Sequence, residues 1–258
     1  MNWGANELFT GLMVFFRCSA MLFLFPVLSS PQFPVRLRIA LSAVVSLIVT
    51  PGAIQPAPVD AQVFTLAILI LKEISTGLLL GFVSRMTFHA MELCASIIGV
   101  EIGLNIVSSF SPMSDGRAEI FGTITYFLGA MLIFTLDLHH WMLGAFQRSF
   151  EVLPIHGGQL SMPLYYDVLR RTSGVFESGL IMAAPVLATS FLITLTFSVI
   201  SRAVPTVNVF AESFSFKLLA GLLVFGFTLN LTAQHAANYL RRLPEDLLRV
   251  AKLLAPIH

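Results

Sequence analysis

Charge is what this chain lacks. Only 11% of its 258 residues are Asp, Glu, Lys or Arg, while 56% are hydrophobic; a soluble domain carries about a quarter charged residues. So little polar surface cannot cover a globule, and lipid or partner subunits must cover the rest. The net charge of +1 leaves no electrostatic footprint for nucleic acid. Cysteine is scarce too. Cys18 and Cys94 sit inside apolar segments, give neither a disulfide framework nor a metal signature, and read as buried free thiols. Residues 1–16 hold no Lys or Arg, so the basic start of a cleavable signal peptide is missing. The first apolar run, which encloses Arg17, is therefore expected to persist as a helix. The sequence also has no G-x-S-x-G, no P-loop and no H-E-x-x-H, the motifs that would announce a hydrolase, a nucleotide site or a zinc protease. An enzyme is not expected, nor is a cofactor.

What is present is apolar length. Six stretches stand out, at roughly 8–28, 38–55, 62–82, 119–138, 178–201 and 218–237. The run from Ser178 to Ser201 is 24 residues without a charge, about 36 Å as a helix, longer than the ~30 Å hydrocarbon core of a bilayer. Pro51, Pro56 and Pro58 end any helix in the second stretch near Thr50. An all-α, polytopic membrane protein of about six hydrophobic helical segments follows, with residues 1–258 taken as a single integral-membrane unit.

The polar interruptions are more informative than the apolar runs. Residues 199–217 read VISRAVPTVNVFAESFSFK, placing Arg202, Pro205, Asn208, Glu212 and Lys217 between two long apolar segments. Polar groups at membrane depth are costly and face protein or a water-filled path, and irregular backbone there is tolerated only under the same condition. Lys72 and Glu73 lie near the centre of the third stretch. They read as a helix-packing ion pair, with a proton relay as the weaker alternative. Arg85, His89 and Glu92 fall on one helical face. Gly77/Gly81 and Gly99/Gly103 have the GxxxG spacing that lets helices approach closely, although such spacing also arises by chance in apolar sequence. After Gly103 the residues SSFSPMSDGR signal a loop, and residues 147–177 form a second polar section. In Asp137-Leu138-His139-His140 two imidazoles and a carboxylate suggest a metal. Adjacent helical residues point about 100° apart, however, and no i, i+4 pair completes the set, so the segment reads as a polar helix terminus and no metal is expected.

The distribution of Lys and Arg conflicts with six ordinary spans. Arg36 and Arg38 put the first connection inside, whereas alternation then puts Arg148, Arg170, Arg171 and the basic tail, Arg241 to Lys252, outside. Either one stretch does not cross, or the helices are not ordinary lipid-facing spans. The number of apolar segments that carry charges favours the second.

These segments, in this order, resemble the FliR/SctT family of type III secretion export-gate subunits over nearly the whole chain. The resemblance rests on Arg17, Pro26-Val27 and Pro34-Val-Arg36-Leu-Arg38-Ile-Ala40. It continues through Glu73, Gly77, Gly81, Gly99-Val-Glu101-Ile-Gly103 and Phe110-Ser-Pro112. Phe134-Thr-Leu-Asp137-Leu-His139-His140, Ser149-Phe150, Leu153-Pro154 and Ala183-Ala-Pro185 follow. The most specific part is Arg202-Ala-Val-Pro205-Thr-Val-Asn208-Val-Phe210, whose Arg-Ala-Val-Pro wording favours the flagellar over the injectisome branch. Leu138 stands where the family commonly has Gly, and Glu101 where it often has Gln.

The resemblance implies helical hairpins within a hetero-oligomeric spiral assembly, much of it raised out of the bilayer plane of the bacterial inner membrane at the flagellar basal body. It implies a non-enzymatic, single-copy subunit beside P-type and Q-type subunits (FliP, FliQ) and an FlhB-type subunit. With membrane lipid around it, the assembly passes unfolded export substrates. By position, 107–118 corresponds to the family's plug loop. Phe110, Ser111, Pro112, Met113 and Ser114 would then close the channel, with Phe110 and Met113 filling the bore, against the alternative of an ordinary exposed turn. Arg202, Pro205, Asn208, Glu212 and Lys217 would hold inter-subunit contacts, and Arg17, Glu73 and Asp137 would make buried polar ones. The rival reading is a small-solute secondary transporter, which predicts inverted repeats with paired broken helices; the region around Pro185 and Pro205 has no clear partner in the first half of the chain. An injectisome homologue is the nearer alternative.

Overall fold

The computed structural model describes residues 4–30, 33–53, 63–104, 120–155, 157–159, 161–204, 206 and 208–255, and among these it contains helices and no strand. The helices are α1 (Ala5–Leu24), α2 (Val35–Val49), α3 (Val63–Ile102), α4 (Ile120–Thr135), α5 (Leu138–Val152), α6 (Met162–Ala203), α7 (Val209–Leu240) and α8 (Leu243–Leu254). Among the described residues, five helical stretches are long and apolar enough to cross a membrane, and the interrupted pair Ile120–Thr135 and Leu138–Val152 makes a sixth when taken together. Helices α3 and α6, of 40 and 42 residues, reach about 60 Å each at 1.5 Å per residue. That is about twice the hydrocarbon core, so neither is a simple span. The apolar stretch at 62–82 therefore marks only half of its helix. The mixed segment that follows stays helical because Met86, Ala90, Cys94 and Ile98 are buried at i, i+4 spacing.

The described residues fall into two compact units. The first is built from residues 1–87, 136–172 and 241–258. Its α1 buries Thr10, Met13, Val14, Arg17, Cys18, Met21 and Leu22, a stripe stepping by three and four residues as one packed helical face requires, while Leu8, Leu12 and Phe23 point outward. The matching stripe of α3 carries Leu69, Glu73, Thr76, Leu80 and Ser84 with Gly77 and Gly81, both also buried. The glycines set the approach. A β-carbon on Gly77 would overlap the Arg17 carbonyl oxygen, and one on Gly81 would lie 2.7 Å from that of Met21. Backbone here meets backbone, the use that GxxxG spacing predicts. Helix α2 packs against α1, and their connection is fixed by Arg38, whose Nη2 donates to the carbonyls of Ser30 (2.7 Å) and Phe33 (3.1 Å). The proline-bearing turn Thr50–Gly52 follows α2 directly. Helix α8 is amphipathic: Leu243, Leu247, Val250, Ala251 and Leu254 are buried and the helix packs along α5.

The second unit is built from residues 88–135 and 173–240. Phe121 of α4 meets Phe225 of α7 edge to face at 4.9 Å. Helix α3 closes at Gly103, whose φ of +84° lies in the left-handed region that L side chains avoid and helix ends use. The Phe214 ring fills the place where a side chain would stand, 2.5 Å from an ideal β-carbon. The α6 and α7 parts of this unit leave many large apolar side chains outside, among them Phe176, Phe191, Leu195, Phe216, Leu219 and Phe227. Both Cys18 and Cys94 are buried free thiols.

Candidate functional site

The least ordinary feature of the first unit is a guanidinium with no exposure. Arg17, in the middle of the apolar stripe of α1, is 0% exposed and Glu73 only 2%. Nε of Arg17 donates to Oε2 of Glu73 at 2.6 Å and Nη2 to Oε1 at 3.1 Å, a bidentate pair of the stronger, charge-assisted kind. Nη1 donates to the Leu153 carbonyl at 3.1 Å, and the guanidinium carbon lies 4.0 Å from the centre of the Phe150 ring, within cation–π range. One side chain thus ties α1 to α3 and to the end of α5. The ion pair that holds Glu73 joins two helices, while its neighbour Lys72 is exposed, so the pairing of Glu73 with Lys72 expected from sequence is corrected. Adjacent helical residues diverge by about 100°, and the stripe that turns Glu73 inward turns Lys72 outward.

A second network in this unit is not evident from the sequence. Nε of Arg171 contacts Oδ2 of Asp167 at 2.6 Å and its Nη1 contacts Oδ1 of Asp246 at 2.8 Å, while Nε of Arg249 reaches Oδ1 of Asp167 at 3.0 Å. Ser161 Oγ adds a bond to the Leu253 carbonyl at 2.9 Å and the Gln159 amide one to Leu254 at 3.0 Å. These bonds fasten α8 to the start of α6. The i, i+4 spacing of Asp167 and Arg171 is the usual signal of a helical ion pair, but it sits within residues that read as a polar connection.

Asp137 separates α4 from α5. Its φ of 52° is unusual for a residue other than glycine and breaks the helix at that point. It occupies the N-cap position of α5, yet its carboxylate makes no capping bond. Oδ1 instead lies 3.9 Å from Nδ1 of His140, with both side chains 72% exposed. The His139 and His140 ring centres, both on the first turn of α5, are 4.1 Å apart. The expectation that Asp137 makes a buried polar contact is thus corrected: its side chain stands outside the packed interior, because the left-handed backbone at the break between α4 and α5 turns it outward.

In the second unit, Ser190 of α6, 4% exposed, donates from Oγ to Oε2 of Glu101 at 2.6 Å, and His89 Nδ1 lies 2.7 Å from Glu92 Oε2. Glu101→Gln is expected to leave stability unchanged, because an amide oxygen accepts the same bond. Glu101→Leu should cost about 1–3 kcal/mol by stranding a buried hydroxyl, read as a lowered unfolding midpoint in detergent; equal midpoints for the two variants would sink that role.

The segment singled out at 199–217 lies mostly on the outside of the chain. Arg202, Asn208 and Glu212 are exposed and Lys217 is half-buried. Asn208 acts locally. Its Oδ1 accepts from the Ala211 amide at 3.3 Å, the bond of a helix N-cap, and Glu212 lies in the first turn of α7, where the helix dipole favours an acid. Pro205 and the expected plug residues Phe110, Ser111, Pro112, Met113 and Ser114 lie outside the described residues.

Comparison with known proteins comes to the same place. The family described as "Bacterial export proteins, family 1" matches residues 8–243. The chain is 26% identical over 211 residues to "Flagellar biosynthetic protein FliR" of Buchnera aphidicola subsp. Acyrthosiphon pisum, covering 82% of this chain and 80% of that one. It is 26% identical over 208 residues to the protein of the same name in Escherichia coli, covering 80% and 78%. With the counterpart in Bacillus subtilis it shares 23% over 219 residues, 83% of each chain.

Proposed function

The chain belongs to family 1 of the bacterial export proteins, and from that premise we propose that it is a non-enzymatic core subunit of the flagellar type III protein export gate. In this role it helps to form and seal the channel through which unfolded flagellar proteins cross the inner membrane at the basal body. It stands as a single copy among P-type and Q-type subunits and an FlhB-type subunit, and residues 1–258 act as one export-gate subunit.

The observation that carries the reading is the match of residues 8–243 to the export family, on a chain whose relatives are named for flagellar biosynthesis. Two physical features support it. Helices of about 60 Å suit an assembly raised out of the bilayer plane, which also accounts for the conflict in charge bias. The outward apolar side chains of α6 and α7, such as Phe191, Leu195, Leu219 and Phe227, need neighbours, and polar Arg202, Glu212 and Lys217 beside them suit contacts with other subunits. Phe110 to Ser114 are proposed as the plug.

Deleting residues 110–114 is expected to raise ion leakage through the assembled complex while leaving its subunit composition unchanged, as read by conductance and by co-purification. Unchanged leakage in a normally assembled complex would contradict the plug assignment. Loss of assembly would show instead that the segment is structural.

A further inference from the structure

We propose that Asp137, His139 and His140 form a binding site for one divalent transition-metal ion of the zinc type. Each of the three residues offers a donor atom, and these atoms all lie within 4.8 Å of one another. Zinc binds imidazole nitrogen and carboxylate oxygen at about 2.0–2.2 Å, which sets donors of a tetrahedral site roughly 3.4 Å apart by the same bond lengths. Asp137 and His140 are both largely exposed, so their side chains can turn toward a shared ion, while His139 is half-buried. The backbone already does the harder part. The left-handed residue at Asp137 brings its carboxylate back over the first turn of α5, and the carboxylate is not consumed by capping that helix.

The chemistry of the set selects the ion. Two imidazoles and one carboxylate suit zinc, nickel and copper, whereas magnesium and calcium prefer oxygen alone. His140 lines a cavity with Trp141, Arg148, Arg241 and Glu245. Three protein donors leave a fourth position for water or an incoming group, the arrangement of an open site.

The test uses the full chain, purified in detergent without a polyhistidine tag and stripped of metal, with Co2+ alone as the probe. One Co2+ per chain is expected, with the visible absorption of a tetrahedral ion, displaced by equimolar Zn2+. Asp137→Ala and His140→Ala should each weaken binding at least about tenfold, the lower range of effects around metal sites, while His235→Ala should not. Absence of saturable binding, or equal affinity in the Asp137 and His140 variants and the native chain, would overturn the proposal. X-ray absorption on the Zn2+-loaded native chain needs no substitution: a shell with two imidazoles supports the site, and one with fewer overturns it.

Discussion

Glu73→Ala is expected to destabilise the purified chain by about 3–5 kcal/mol, the usual cost of removing one partner from a buried ion pair. The loss would appear as low folded yield and a lowered unfolding midpoint in detergent. The magnitude follows from what is left behind: Arg17 is 0% exposed, and the Leu153 carbonyl and the Phe150 ring do not neutralise its charge. The companion experiment separates charge from packing. Arg17→Met with Glu73→Leu removes both charges and should recover most of the loss, because a buried pair replaced together by apolar groups is often tolerated. A single variant as stable as the native chain would show that the pair does not hold α1 to α3.

Gly77→Val is expected to be at least as damaging. Overpacking a tight interface costs about 1–3 kcal/mol when side chains can shift, but at Gly77 the obstacle is the Arg17 backbone carbonyl, with the Ala20 β-carbon a further 2.8 Å contact. Helices α1 and α3 must separate. Glu73 lies one turn before Gly77 on the same stripe, so separation also pulls apart the 2.6 Å bond to Arg17. The two substitutions should therefore be non-additive: in an Arg17→Met, Glu73→Leu background, Gly77→Val should cost less than in the native chain. Gly144→Ala is the control, since nothing lies within 4 Å of its would-be side chain, and it should be neutral. Full additivity would mean that the glycines and the ion pair act at separate contacts.

The helical class, the Gly77/Gly81 spacing and the polar residues that an apolar chain would not carry idly are all legible in the sequence. Their partners are not. Arg17 and Glu73 each stand out as costly, but a separation of 56 residues has no local spacing, and local spacing alone assigns Glu73 to Lys72 beside it. Hydropathy ends the third segment near residue 82 because it averages over faces. The helix continues to Ile102 because one face stays buried while the other turns polar. Asp137 is left-handed without being glycine, so the break it makes before α5, which brings its carboxylate within 3.9 Å of His140, leaves no mark in periodicity. The Asp167–Arg171 pair has the right spacing, yet the long helix α6 that carries it begins at Met162, well before the charge-free run that announces it.

The central claim is membership of a hetero-oligomeric export gate, and native mass spectrometry tests it most directly. The tagged chain would be purified in detergent after co-expression with its P-type and Q-type partners. The account predicts one copy of this chain in a single large hetero-oligomer. A stable monomer or homodimer that ignores those partners would contradict it.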